Sequence, residues 1–291
     1  MFGIYKDLFG WIIMSKVDIC ITTYRNVDKL KTCLETVLEK TKFVDYKIYL
    51  WANDPTEEVK KTIHDSMYID NILFNDHIEP IFNDDNSGSF SSNNNAVAKE
   101  GTGEYILFLN DDIYPLRDDW LYNMLNIIEN NSKVGVVGSL LLYPDQKTIQ
   151  HCGVFFSNKT NSLPYHMFYK QSIDKVSNFI SHHRYYQAIT GACMLMRRKD
   201  FEEVGGFNTQ YYYGYEDIHL CLDIKKILNK SSVYCADSIL VHNEGISGSF
   251  KNHPKIQDNI KIFKELNKDR YYNDLEFYLN DNNFMTFNIK K

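Results

Sequence analysis

The chain has 291 residues, of which 44% are hydrophobic and 24% charged, with a net charge of −6. This is the make-up of an ordinary soluble globular protein, long enough for one large α/β domain or two small ones. The acidic balance argues against nucleic acid as the main partner, which needs a basic field, but leaves a phosphate ligand open if a cation or backbone amides neutralise it.

The first 14 residues, MFGIYKDLFGWIIM, are apolar but interrupted by Lys6 and Asp7, and too short to span a bilayer. They read as an appended segment in preference to an anchor peripheral to a membrane. Val17–Thr23 alternates and is β-branched, which predicts a first strand. Tyr24-Arg25-Asn26 is a polar turn, and Asp28 is placed to cap a helix that buries Leu30, Cys33, Leu34, Val37 and Leu38. Residues 46–52 form a second strand ending at Asn53-Asp54-Pro55, and a helix through Val59 and Ile63 follows. A third strand covers 78–82, a loop 83–89, and a short helix 91–100. The five apolar residues from Tyr105 to Leu109 follow Gly101 and Gly103 and predict a strand buried on both faces, running into Asn110-Asp111-Asp112. Asp119 is placed to cap a helix with Leu121, Met124, Leu125 and Ile128 on its apolar face. Strand and helix thus alternate four times, which predicts a Rossmann-like, mostly parallel central sheet flanked by helices.

The second half is less regular. Val134–Leu142 reads as a strand, 149–156 as a hairpin-like excursion, and 158–181 as a polar, aromatic-rich stretch with the composition of a mobile loop. A strand over 192–196 leads to a short helix ending at Gly205-Gly206, and a longer helix starts near Glu216. Residues 233–235 and 239–241 read as two short strands, and a last amphipathic helix carries Ile256, Ile260 and Phe263. The six cysteines (Cys20, Cys33, Cys152, Cys193, Cys221 and Cys235) form no C-x-x-C pair and read as reduced core residues of a cytosolic protein. The chain divides into an extension (1–14), an α/β domain (15–250), and a helix and tail (251–291).

In open α/β sheets, ligands sit beyond the carboxyl ends of the strands. Asp111 and Asp112 at such an end form a hard, oxygen-rich corner suited to Mg²⁺ or Mn²⁺, ions that join carboxylates to phosphates. A turn with a helix cap is the competing reading. No G-x-G-x-x-G follows the first strand and no G-x-x-x-x-G-K-[ST] occurs, so dinucleotide-binding and P-loop readings lose their main support. Acids instead recur at predicted strand ends and one helix start: Asp54, Asp111-Asp112 and Glu216-Asp217.

Five stretches, in order, carry a resemblance. They are Thr23-Tyr24-Arg25-Asn26; Asp54; Asn86-Ser87-Gly88 with Phe90 and Asn94 or Asn95-Ala96; Asn110-Asp111-Asp112; and Thr190-Gly191-Ala192 with Gly205-Gly206-Phe207 and Tyr215-Glu216-Asp217. Together, over about residues 17–248, they resemble the inverting glycosyltransferases of family 2. Tyr143-Pro144-Asp145, the run from Ile149 to Gly153, and Tyr165-His166 resemble a subgroup associated with bacterial surface polysaccharides. The resemblance implies a GT-A fold with a less regular C-terminal extension, a nucleotide-sugar donor (uridine being the commonest base), and a glycan or other hydroxyl acceptor. It implies donor contacts from Thr23, Tyr24, Arg25, Asp54, Asn86, Asn94, Asp111 and Gly191, with Asp54 reading the base. It implies a Mn²⁺ or Mg²⁺ ion held by Asp112, Asp111 and His242. Asp217 becomes the base that takes the acceptor proton, with Glu216 beside it, and a helix start favours its ionised form. His151 and His166 are further candidates for substrate contact, and Tyr211-Tyr212-Tyr213 reads as a sugar platform or as packing. Asn110 stands where an Asp is often found, and His219 where a second acid usually stands. The rivals are a non-catalytic sugar- or nucleotide-binding protein on the same fold and a nucleotidyltransferase. The latter expects a Gly-rich loop after the first strand, and the run from Thr22 to Asn26 has no Gly.

Overall fold

The apolar runs of both halves become strands of one ten-stranded sheet. The computed structural model describes residues 17–69, 72–73, 75–85, 88–212, 214–243 and 255–280, with a two-residue ladder at 6–7 and 10–11. Asn86 and Tyr213 lie outside the described residues. Strands β1 (Val17–Thr23), β2 (Tyr46–Asn53), β3 (Ile78–Asn83) and β4 (Tyr105–Asn110) are parallel, in the order β3-β2-β1-β4. Helices α1 (Val27–Lys40), α2 (Glu57–Met67) and α3 (Phe90–Val97) are the crossovers. Thr56 caps α2 through the Val59 N–H at 3.3 Å. Neither Asn26 before α1 nor Asp119 before the next helix makes a side-chain cap bond, and Asp119 instead accepts from Arg117 at 2.9 Å. The expected Asp28 and Asp119 caps are therefore corrected: α1 already begins at Val27, and Arg117 takes the Asp119 carboxylate.

β4 is the central strand that its sequence predicts. Leu107 and Leu109 face one apolar cluster while Ile106 and Phe108 face another, so both sides are dry. Gly101 and Gly103 do more than precede it. A Cβ at either would lie 2.1 or 2.8 Å from the carboxyl group of Asp18. Asp18 is fully buried and accepts from the Gly103 N–H at 2.5 Å and from Arg198 at 2.6 Å.

The chain then runs through β5 (Ile113–Pro115), α4 (Trp120–Glu129), β6 (Val134–Leu142), β7 (Ile149–His151), β8 (Val154–Phe156), β9 (Pro164–His166), α5 (Ser177–Ile180) and β10 (Arg184–Tyr186). It continues with β11 (Cys193–Arg197), α6 (Arg198–Glu203), α7 (Glu216–Leu228), β12 (Ser231–His242), α8 (Ile256–Asn267) and α9 (Leu275–Asn280). β11 is antiparallel to both β4 and β6 and joins the two halves of the sheet. The two short strands expected at 233–235 and 239–241 are one strand, β12, parallel to β6 with a bulge opposite Ser139 and Leu140. The Ser139 and Ser238 hydroxyls meet there at 2.8 Å. The 158–181 stretch, whose composition suggests a mobile loop, contains 3₁₀ turns, β9 and α5. α8 docks Ile256 and Phe263 into the second cluster, and α9 buries Tyr278. All six cysteines are buried free thiols. Among the described residues, no helix is long and apolar enough to cross a membrane.

Candidate active site

Strand pairing gathers three strand ends at one edge. Thr22 of β1 pairs with Asn110 of β4, and β5 turns back so that Ile113 pairs with His242 at the end of β12. Thr23 Oγ1 donates to Asp111 Oδ2 at 2.6 Å. Burial pushes the Asp111 carboxyl up to about 7; the Thr23 bond opposes this, and the charge of Asp112 adds to it. Burial raises Asp112 too, but the hydrogen bond and charge of His242, with Lys29, outweigh it and hold Asp112 below the usual carboxylate range.

The His242 contacts bear on metal binding. Its Nδ1 lies 2.5 Å from Gln150 Oε1 and its Nε2 lies 3.1 Å from Asp112 Oδ1. With Nδ1–H donating to the Gln150 oxygen, Nε2 faces the carboxylate oxygen, as a donor when it carries a proton and as a metal ligand when it does not. Two acceptors that close need a proton or a cation between them. Orientation of a ligating histidine by a hydrogen bond at its other nitrogen is the common arrangement in metal sites. Among the described residues, no three His, Cys, Asp or Glu side chains form a complete cage. A Mg²⁺-type ion does not need one, since one or two carboxylates plus substrate phosphates and waters suffice. The donor set therefore fits a divalent ion, with Asp112 and His242 as first ligands and Asp111 turned toward Thr23.

Across the sheet edge, the Asn110 N–H donates to the Ala192 carbonyl at 3.0 Å. The preceding Gly191 N–H donates to Asp217 Oδ2 at 2.8 Å, and the Ile218 N–H donates to Asp217 Oδ1 at 2.8 Å. A Cβ on Gly191 would come within 3.0 Å of the Asp217 Cβ, so glycine here lets the carboxylate approach. Glu216 is buried, and its Oε2 has no hydrogen-bond partner among the described residues. Burial raises the proton affinity of both carboxyls, and for Glu216 the charge of Asp217 raises it further. The helix start is reached through Gly214 (φ 88) and Tyr215 (φ 74), both left-handed.

The loop before that turn is fixed from α3. Asn95 donates to the Phe207 carbonyl at 2.8 Å and accepts from the Phe207 N–H at 2.9 Å, and Phe207 packs on Phe108 with ring centroids 4.8 Å apart. Asn94, a donor-site candidate, is buried and bonds the Phe90 carbonyl at 3.0 Å. Arg25 and Asp54 form an ion pair on the outer side, with the Arg25 guanidinium 5.1 Å from the Tyr24 ring centroid. Arg25 (φ 54) and Asp54 (φ 44) are both left-handed, and strain of this kind collects at ligand clamps. The pair is half-exposed and contributes little to folding. Asp54→Ala is therefore expected to leave the protein folded, with a small drop in melting temperature because alanine tolerates the left-handed backbone less well than aspartate, and to weaken nucleoside binding by about 0.5–1.5 kcal/mol, measured by calorimetry. A base located elsewhere in a crystal soak refutes the assignment.

His151 is buried, with its Nδ1 2.8 Å from His166 Nδ1 and its Nε2 accepting from the Thr190 N–H at 3.4 Å. Burial, with the neighbouring histidine His242, pushes His166 down to about 4. His219 is structural: it meets Asp223 at 3.2 Å, the Tyr211 hydroxyl at 3.2 Å and Asn267 Nδ2 at 3.0 Å, and Asp223 pairs with Arg270. Tyr211 is thereby fully buried packing, whereas Tyr212 is 41% exposed. Sequence reasoning missed Lys29, whose Nζ reaches Asp112 Oδ2 at 3.5 Å and the Asn243 carbonyl at 2.5 Å. It sits in the first turn of α1, and nothing local separates it from a solvated lysine. Gln150 lies within the Ile149–Gly153 run, and nothing in the sequence links it to His242.

The sequence profile of Glycosyl transferase family 2 matches residues 18–205. An uncharacterized protein of Sinorhizobium fredii is 27% identical over 252 residues, 86% of this chain and 27% of its own length. The O-antigen biosynthesis protein RfbC of Myxococcus xanthus is 28% identical over 236 residues, 80% of this chain and 18% of its own length. The chain thus spans roughly a quarter or less of these curated relatives. A Pyrobaculum calidifontis mannosyltransferase solved with GDP-Man and Mn²⁺ matches with a TM-score of 0.58 at 14% identity, over 82% of this chain and 59% of that one. GalNAc-T7, solved with UDP, GalNAc and Mn²⁺, matches with a TM-score of 0.66 at 13% identity, over 86% of this chain and 48% of that one. These likenesses show the GT-A fold. The profile covers well over half of the chain, which belongs to glycosyl transferase family 2.

Proposed function

We propose that this domain transfers a sugar from a nucleotide-sugar donor, a UDP-sugar foremost, to an acceptor hydroxyl with inversion. The acceptor is read as a surface glycan, a reading supported by the O-antigen name of the Myxococcus xanthus relative. One observation carries the proposal: Asp217 hangs from Gly191, while the next residue, Ala192, is bonded to Asn110 at the acidic corner. A proton acceptor and a leaving-group corner thus share one strand junction. Thr23, Arg25 and Asp54 would line the nucleoside, and Asp112 and His242 would hold Mn²⁺ or Mg²⁺. When bound, such an ion neutralises the charge that builds on the departing diphosphate. Asp217 would take the acceptor proton, its raised proton affinity bringing it nearer the working pH of a base.

Calorimetric titration of UDP in EDTA and in Mn²⁺ tests the acidic corner. Affinity is expected to be about tenfold or more higher with the ion, and Asp112→Ala should abolish that difference. Equal affinity in both buffers, or an unchanged metal response in the variant, refutes it. Thermal stabilisation by nucleotide-sugars with no turnover across a donor screen would favour the non-catalytic rival.

A further inference from the structure

Resting on the transferase reading, we propose that a cavity of about 500 Å³ between the start of α3, the 209–212 loop and α8 is the acceptor subsite, and that it takes an uncharged or zwitterionic sugar unit. Its size falls within the roughly 300–1,000 Å³ of small-molecule sites. Thr209 and Gln210 give it a hydroxyl and an amide that can both donate and accept, as sugar hydroxyls require. Tyr212 contributes an aromatic ring, with Lys255 Nζ 3.8 Å from its centroid. Asp258 in the same wall balances Lys255, so the cavity has no surplus positive charge to attract a diphosphate.

Its position follows from two stretches of chain. On one side, Asn259 accepts from the Tyr212 N–H and donates to the Gly214 carbonyl, each at 3.4 Å, and Gly214 lies two residues before Glu216. On the other side, the wall at Ser89 leads directly to Phe90, whose ring lies 3.6 Å from where a Cβ of Gly191 would stand. Gly191 is the residue that holds Asp217. Two walls of the cavity therefore adjoin the two segments that support Asp217, the turn at Gly214 and the strand end at Gly191.

Saturation-transfer NMR on the full chain loaded with UDP and Mg²⁺ tests this with methyl glycosides of hexoses, N-acetylhexosamines and hexuronates. At least one neutral glycoside is expected to bind, and Tyr212→Ala and Gln210→Ala should each weaken it at least fivefold. UDP affinity by calorimetry should stay within twofold. Unchanged glycoside affinity in both variants, no neutral glycoside bound while UDP binds, or UDP affinity falling in step with the glycoside would each overturn the subsite. A wild type that binds glycosides here but no nucleoside diphosphate would keep the cavity as a sugar site and sink the nucleotide-sugar reading instead.

Discussion

Asp217→Asn is expected to lose sugar transfer by about 10²–10⁴-fold while binding UDP and metal nearly as the wild type does. Asparagine keeps the size of the side chain, and its oxygen can still accept the Gly191 N–H, but no site for a proton remains. The pH dependence provides a second readout. As the proposed base Asp217 would work only when ionised, and burial raises its pKa, so activity should rise with pH through that raised value and fade on acidification sooner than an ordinary carboxylate would allow. The asparagine variant should lack this limb. Glu216→Gln should cost less activity. It should also raise the melting temperature at neutral pH and above. A carboxyl whose pKa is raised on folding favours the folded state fully only below its unfolded value, and that advantage is lost as pH climbs through the folded one. Transfer by Asp217→Asn within a few-fold of wild type places the base elsewhere, and loss of UDP binding or of the fold makes Asp217 a structural residue.

Asp18→Ala is expected to destabilise the fold by about 3–5 kcal/mol, measured by urea unfolding. Arg198 would keep its bonds to the Ala98 and Gly103 carbonyls at 2.5 and 2.7 Å, but its charge would be left with only the exposed Glu202, 3.9 Å away, and the Gly103 N–H would lose its acceptor. The pair ties β1 to the segment leading into β4 and to the start of α6, at the opposite end from Thr23 and Asn110, where β1 and β4 finish. Replacing both partners together, Asp18→Leu with Arg198→Met, should recover most of the loss, because no buried charge is then left alone. A single variant that loses less than about 1 kcal/mol would reduce the pair to a marginal contact.

What could be read in advance was local and periodic. The unbroken apolar run of β4 marks a strand covered on both faces, and α1 shows its apolar stripe at helical spacing. Acids placed just past such strands need no tertiary knowledge to be noticed. What escaped depends on contacts far apart in sequence. Gln150 and His242 are 92 residues apart, and Lys29 and Asn243 are 214 apart. β12 looked like two strands because its bulge interrupts the apolar pattern, while pairing with β6 continues on both sides. The 158–181 stretch hides its order behind polar residues, since its strand is three residues long and pairs with the equally short β8. His219 looked like a substituted catalytic position because sequence spacing does not say which side of a helix faces the substrate.

The inward polar groups of α7 have a consequence for how the protein is made. His219 and Asp223 find Asn267 and Arg270 48 and 47 residues further along the chain. A ribosome delivers every candidate catalytic acid well before it delivers these partners. Until Asn267 and Arg270 emerge, His219 and Asp223 have each other and the Tyr211 hydroxyl but lack these two further partners, so the helix docks less firmly against the sheet. Translation that stalls between α7 and α8 is therefore expected to yield chains that carry all the acids on a less firmly held α7.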